Sequence, residues 1–232
     1  MKINNAASAR FFSYSVGLLI QISIIFLLTT KLEIYQFGLW GISMSFVFIF
    51  STVSQMAYFQ NIEKYFPNYT EKKRQYFFVK YVKTIFASNP IILLFLFIIK
   101  HFGYFEKFNI KNISYLLIML ALLSTIESCL VISDGYFVAT QKSKIFDTYE
   151  LYFYKIPRLF VFYLLLNYGY SVFYLLFFTV ILRFVFLVII FKNKFINIKT
   201  FLNLSINNSI FKENFQNIRY NSFAFGNSFL YV

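Results

Sequence analysis

One cysteine, one histidine, one tryptophan and three prolines are all that this chain of 232 residues carries of those types, and Asp plus Glu together number nine. Each scarcity excludes something. Cys129 alone permits neither a disulfide within the chain nor a cysteine-based metal site. His101 alone cannot form a histidine metal pair, and neither a G-x-S-x-G elbow nor a Gly-rich phosphate loop occurs. No catalytic residue, cofactor or metal is therefore expected. Charged residues make up 13% of the chain, about half the ~25% usual for a soluble domain.

What is abundant points to a bilayer. Hydrophobic residues form 59% and aromatic residues 24% of the chain, and the mean hydropathy is +0.63. The formal charge is +13. Nucleic-acid binding is excluded as its cause, because the Lys and Arg flank apolar spans and build no separate basic patch. In an integral membrane protein such an excess sits in cytoplasmic loops and sets orientation.

Six apolar segments can be drawn. The first runs from about Phe11 to Thr30 and lacks a small-residue cleavage site, so it reads as a retained helix and not a signal peptide. The second runs from about Phe37 to Phe59, with Tyr35 and Trp40 suited to the interfacial belt and Gly38 and Gly41 permitting close helix approach. Gln55 is a polar residue within it, either a helix–helix hydrogen bond or a ligand contact. The loop 60–83 is the most basic, with Lys64, Lys72, Lys73, Arg74, Lys80 and Lys83, and reads as a solvated, headgroup-facing surface. Segment three (about Thr84 to Ile99) contains Pro90, which predicts a kink or break near Ala87. Segments four (Ser114 to Gly135), five (Leu151 to Tyr170) and six (Ser171 to Phe191) complete the set, joined by Val138 to Glu150 and Asn167 to Tyr170.

Lys2, Arg10, the basic loop, Lys142, Lys144 and the basic residues after segment six share one side, against Lys31, Lys100, Lys107 and Lys111 on the other. This asymmetry predicts a cytoplasmic N-terminus and six spans in the cytoplasmic membrane. The tail 193–232 is polar and Asn-rich, then turns apolar at its end. It reads as a cytoplasmic linker and the start of a seventh helix, with 1–192 as the preceding bundle.

Charges within the spans carry the functional signal, because a charge at mid-bilayer costs at least ~3 kcal/mol and faces a partner or a watery cavity. Segment four holds Glu127 and Asp134, segment five Lys155 and Arg158, and segment six Arg183. At ~1.5 Å per residue, Arg158, Arg183 and Glu127 fall ~10–12 Å from the cytoplasmic edge. Two readings stay open. In one, Glu127 pairs with an arginine and Asp134 with Lys155, and the network holds three helices in register. In the other, the helices line a wet cavity in which Lys155, Arg158, Arg183 and Arg10 offer more positive charge than Glu127 and Asp134 neutralise. Such a cavity suits a phosphate, whose oxygens the arginine fork binds in pairs.

The first helix with Glu33-Ile34-Tyr35-Gln36-Phe37-Gly38-Leu39-Trp40-Gly41, the basic loop with Pro67-Asn68-Tyr69, and Ser133-Asp134-Gly135-Tyr136 resemble the N-terminal half of a polysaccharide flippase. That family belongs to the superfamily of multidrug and lipid-linked oligosaccharide exporters. The resemblance implies an all-α membrane protein, its six helices forming one bundle of a two-bundle transporter. It implies alternating-access transfer of undecaprenyl-pyrophosphate-linked oligosaccharide across the cytoplasmic membrane for surface polysaccharide such as O-antigen or capsule. Partners would be the bilayer, that lipid-linked substrate and other polysaccharide assembly proteins. The alternatives are a cation-coupled multidrug antiporter, which predicts acids dominating the cavity, and a membrane-embedded polymerase or acyltransferase, which predicts a large external loop.

Overall fold

A computed structural model describes residues 2–55, 58–103 and 113–194, with the side chains of 2–10, 60 and 193–194 outside the description. Eight α-helices run in chain order: α1 (Lys2–Lys31), α2 (Ile34–Gln55), α3 (Tyr58–Tyr65), α4 (Glu71–His101), α5 (Ile113–Ala139), α6 (Ser143–Glu150), α7 (Ile156–Asn167) and α8 (Val172–Lys194). A 3-10 turn at Phe66–Asn68 leads into α4, and a π turn at Leu151–Lys155 links α6 to α7. No strand occurs among the described residues. Among the described residues, five helices are long and apolar enough to cross a membrane: α1 from Phe11, α2, α4, α5 and α8. The expected linker and seventh helix lie outside the described residues beyond Lys194.

Helix α5 is the axis. In its most apolar window 72% of residues are buried, against 28–33% in the other four long helices, and it packs against α2, α3, α4, α6 and α8. Small residues explain how so many neighbours approach one helix: Ala121, Ser124, Thr125, Ser128, Cys129, Ser133 and Gly135 are all buried on it. A methyl placed on Gly135 would stand 2.9 Å from the Phe59 ring, so glycine is what lets that ring lie against α5. Two polar ties add direction. Ser128 Oγ donates across to Ser51 O of α2 at 3.0 Å. Asn89 Nδ2 of α4 donates to Ala121 O at 3.0 Å and Thr125 Oγ1 at 2.6 Å. The outward faces stay apolar: Phe12 and Phe26 of α1, Phe48 of α2 and Ile91 of α4 are each about two-thirds exposed. Exposed phenylalanine in such density is stable in contact with hydrocarbon, not water.

Several expectations are corrected here. The basic stretch 60–83 is mostly helix: Glu71 through Lys83 form the first turns of α4, and Lys80 is buried with its neighbours Phe78, Val79, Tyr81 and Val82. Aromatic packing drives this, since Tyr58, Phe66 and Tyr81 stack in one layer there. Of the kink or break expected at Pro90, the break does not occur: helix α4 runs unbroken through that residue. Helix α2 is described as far as Gln55 and helix α3 from Tyr58, so the expected end of the second segment at Phe59 falls within α3. Trp40 belongs to no interfacial belt: it is buried, edge-on to Phe162 at 5.4 Å. Gly38 and Gly41 face open space and pack against no helix. The fifth expected segment begins eight residues early, at Ser143, and is not a uniform α-helix.

Asn89→Val is expected to remove both ties between α4 and α5 and lower stability by about 0.6–1.7 kcal/mol. Thermal unfolding in detergent, compared with an exposed-face control such as Ile91→Val, checks this.

Candidate functional site

The π turn is the local irregularity that builds the site, and the sequence supplies its cause. Pro157 lacks the N–H that would close an α turn onto Phe153, so the helix relaxes one turn upstream. There Ile156 N donates to Leu151 O, five residues back. In a plain α-helix residues five apart point about 140° away from each other. The wider turn instead turns Glu150 and Lys155 to one side, and their charges meet at 2.8 Å.

Arg183 of α8 closes the group. Its Nη1 donates to Glu150 Oε1 at 3.1 Å, and its Nε lies 2.6 Å from Glu127 Oε1 of α5. The second contact is ionic and not a directed hydrogen bond, because Nε is off the bonding angle. The guanidinium also lies over the Tyr154 ring, 3.6 Å from its centroid. One arginine thus joins α8, α5 and the α6 end to the π turn. Glycine serves the group from α1: a methyl on Gly17 would stand 2.9 Å from Lys155 Nζ.

Arg158 behaves differently. Its guanidinium sits 5.0 Å from the Phe162 centroid, 5.6 Å from Tyr154 and 5.8 Å from Trp40. Its Nε is buried without a hydrogen-bond partner, and no carboxylate pairs with Arg158 among the described residues. Three aromatic faces partly stabilise this cation, but they leave its charge uncompensated.

Two adjoining hollows open on this group, and their linings differ in sign. The first, about 310 Å³, is lined by Glu127, Asp134, Asp147 and Glu150 together with Lys155 and Arg183, Ser13 and Tyr14. The second, about 210 Å³, is lined by Lys155, Arg158 and Arg183, with Tyr14, Gln21 and Tyr154, and no carboxylate. Lys155, Arg183 and Tyr14 belong to both.

The structure therefore gathers Glu127, Asp134, Lys155, Arg158 and Arg183 at one place. Glu127 pairs with an arginine as expected, namely Arg183. Lys155 pairs with Glu150, not with Asp134 as expected. Gln55 lines neither hollow, and the Arg10 side chain lies outside the described residues. Arg158 and Arg183 line the same hollow, their guanidinium groups 5.6 and 3.6 Å from the centroid of the Tyr154 ring. Among the described residues four carboxylates and three cations line the two hollows, Arg10 of the expected set lying outside that description. Asp147 and Glu150 lie in what the sequence presents as a connection, and Tyr14 and Tyr154 are two tyrosines among nineteen, with nothing in the sequence to mark them. The usable signal was Pro157 inside an apolar run, with Glu150 five residues before a lysine. No family model, curated protein or solved structure matches this chain.

Removing Glu150 deprives two cations of a partner. Breaking a fully buried pair costs ~3–5 kcal/mol. Because Glu150 is 18% exposed, Glu150→Ala is expected to cost about 2 kcal/mol by thermal unfolding, discounted from that range. Glu127→Ala is expected to cost less, since Arg183 keeps Glu150.

Proposed function

We propose that this chain is a multi-pass membrane transporter whose second hollow receives the phosphate of a lipid-linked, anionic substrate. The observation that carries the reading is Arg158: a cation held among aromatic rings, without a carboxylate partner among the described residues, in a hollow lined by two further cations. Phosphate bound there gains a charge-assisted, two-oxygen contact with the guanidinium fork. Tyr14 and Tyr154 on the same wall offer faces and hydroxyls of the kind that suit a sugar. Together with the resemblance to polysaccharide flippases, this favours an undecaprenyl-pyrophosphate-linked oligosaccharide as substrate, moved by alternating access across the cytoplasmic membrane. The run from Ser143 to Asn167 then serves as a sixth span beside the five long apolar helices, and the six form one bundle of a two-bundle machine, N-terminus cytoplasmic. The lipid tail stays in the bilayer while the head group passes.

A second reading has its own observation. The first hollow carries four carboxylates against two cations, the imbalance expected of a cation-coupled antiporter. The two readings separate by cargo.

In reconstituted vesicles, transfer of a fluorescent pyrophosphate-linked oligosaccharide lipid is expected to fall at least about tenfold in Arg158→Ala, the equivalent of one lost charged contact. A lipophilic cation dye is expected to remain where it was added. Unchanged lipid transfer in Arg158→Ala, or dye export driven by a proton gradient, contradicts the flippase reading.

A further inference from the structure

Lys155 and Arg183 each belong to both hollows. On one side they are neutralised by Glu150 and Glu127. On the other they stand in the wall of the hollow assigned above to the anion, on which reading the following argument rests. An arriving anion and the carboxylates must therefore compete for the same positive groups.

Charge counting decides the outcome. Of the three cations lining the second hollow, Arg158 alone has no carboxylate partner among the described residues, so it offsets one negative charge of a bound dianion. The second charge draws on Lys155 or Arg183, and a carboxylate of the first hollow loses its counter-ion. An unpaired carboxylate in a partly buried site is unfavourable in its charged form, and it relaxes by taking up a proton. The first hollow has room for this: about 310 Å³ is roughly ten times the ~30 Å³ that a water occupies. The Arg183–Glu127 contact is off the hydrogen-bond angle, and both side chains border the first hollow, so separating this pair breaks no directed hydrogen bond.

We infer that the two hollows are linked through Arg183 and Lys155, so that each dianion bound beside Arg158 brings about one proton onto the carboxylates of the first hollow. Among the described residues, the groups facing those carboxylates are Tyr14 from α1, Glu127 and Asp134 from α5, Asp147 and Glu150 from α6, Tyr154 and Lys155 from the π turn, and Arg183 from α8. Glu150 is the principal acceptor, because it alone touches both shared cations. The net reaction is balanced: anion, protein and one solvent proton give a complex in which a carboxylic acid replaces a carboxylate. By reciprocity, acid conditions tighten anion binding, and a bound anion tightens proton binding by the same factor. Substrate and proton enter together, so a proton gradient acts on the loaded form.

The chain contains its own reporter, since its single tryptophan, Trp40, lies 5.8 Å from Arg158. Sulfate is the probe, a phosphate-shaped dianion that does not itself titrate near neutrality. The full chain in nanodiscs is titrated with sulfate at several pH values, reading Trp40 fluorescence, and proton uptake is followed in weak buffer. The expected result is a dissociation constant that falls by up to about tenfold per pH unit on acidification, as one linked proton requires, with uptake approaching one proton per sulfate. Glu150→Gln is expected to bind sulfate at alkaline pH about as tightly as the wild type does in acid, with a flattened pH dependence. Glu127→Gln moves the same way by less, which covers the case in which Glu150→Gln fails to fold. Sulfate binding that depends on Arg158 but shows no pH dependence and no proton uptake overturns the linkage and leaves the anion hollow standing. A fluorescence response that is absent, or that survives Arg158→Ala, overturns both.

Discussion

Arg183 is held by two carboxylates from two different helices, Glu127 of α5 and Glu150 at the end of α6, with the Tyr154 ring beneath it. Taking a guanidinium out of water is costly unless opposite charge and hydrogen bonds replace the lost hydration. The position of Arg183 on α8 therefore constrains where α5 and α6 lie. Lys155 extends the constraint, because the same Glu150 that holds Arg183 also holds Lys155. Both cations keep one side turned toward the second hollow. The group that joins three helices is also shared between two hollows. An ion-pair network between helices, one of the two sequence-based alternatives, is present, and it borders two hollows with charged linings.

The rest of the fold makes that cluster affordable. Helix α5 is surrounded by neighbours and lined with small residues, so it presents Glu127 and Asp134 to a hollow while its apolar atoms fill the core. Large aromatic side chains take the opposite part. Trp40 and Phe162 wall Arg158, and Tyr58, Phe66 and Tyr81 close the layer formed by α3 and the start of α4. The outer faces of α1, α2 and α4 carry exposed phenylalanine, leucine and isoleucine, which leaves the polar atoms facing inward. This distribution is what a bilayer selects, since ionisable groups are tolerated there only against partners or water.

Long apolar runs were legible in the sequence because a span of twenty residues needs little context to be recognised. Helices α1, α2, α4, α5 and α8 appear where hydropathy places them, with α4 extended by the aromatic residues that precede its apolar part. Glu127 and Arg183 were legible as partners, since both lie well inside such runs. Glu150 was not. Its role depends on the π turn, which shifts the register by one residue and brings together side chains that α-helical spacing would separate. Trp40 was misplaced for a related reason: aromatic rings near a helix start satisfy an interface and a core equally well by sequence, and only Phe162 and Arg158 opposite it decide between them. Asp147 and Glu150 add two carboxylates to the first hollow that the sequence places in a connecting segment.

The central claim is that Glu150 and Arg183 act as a unit. A double-mutant cycle with Glu150→Gln, Arg183→Gln and the combined variant, read by thermal unfolding, measures it directly. The account predicts a coupling above about 1 kcal/mol, with the double variant closer to wild type than the sum of the single losses requires. Single losses that simply add, within about 0.3 kcal/mol, would contradict it.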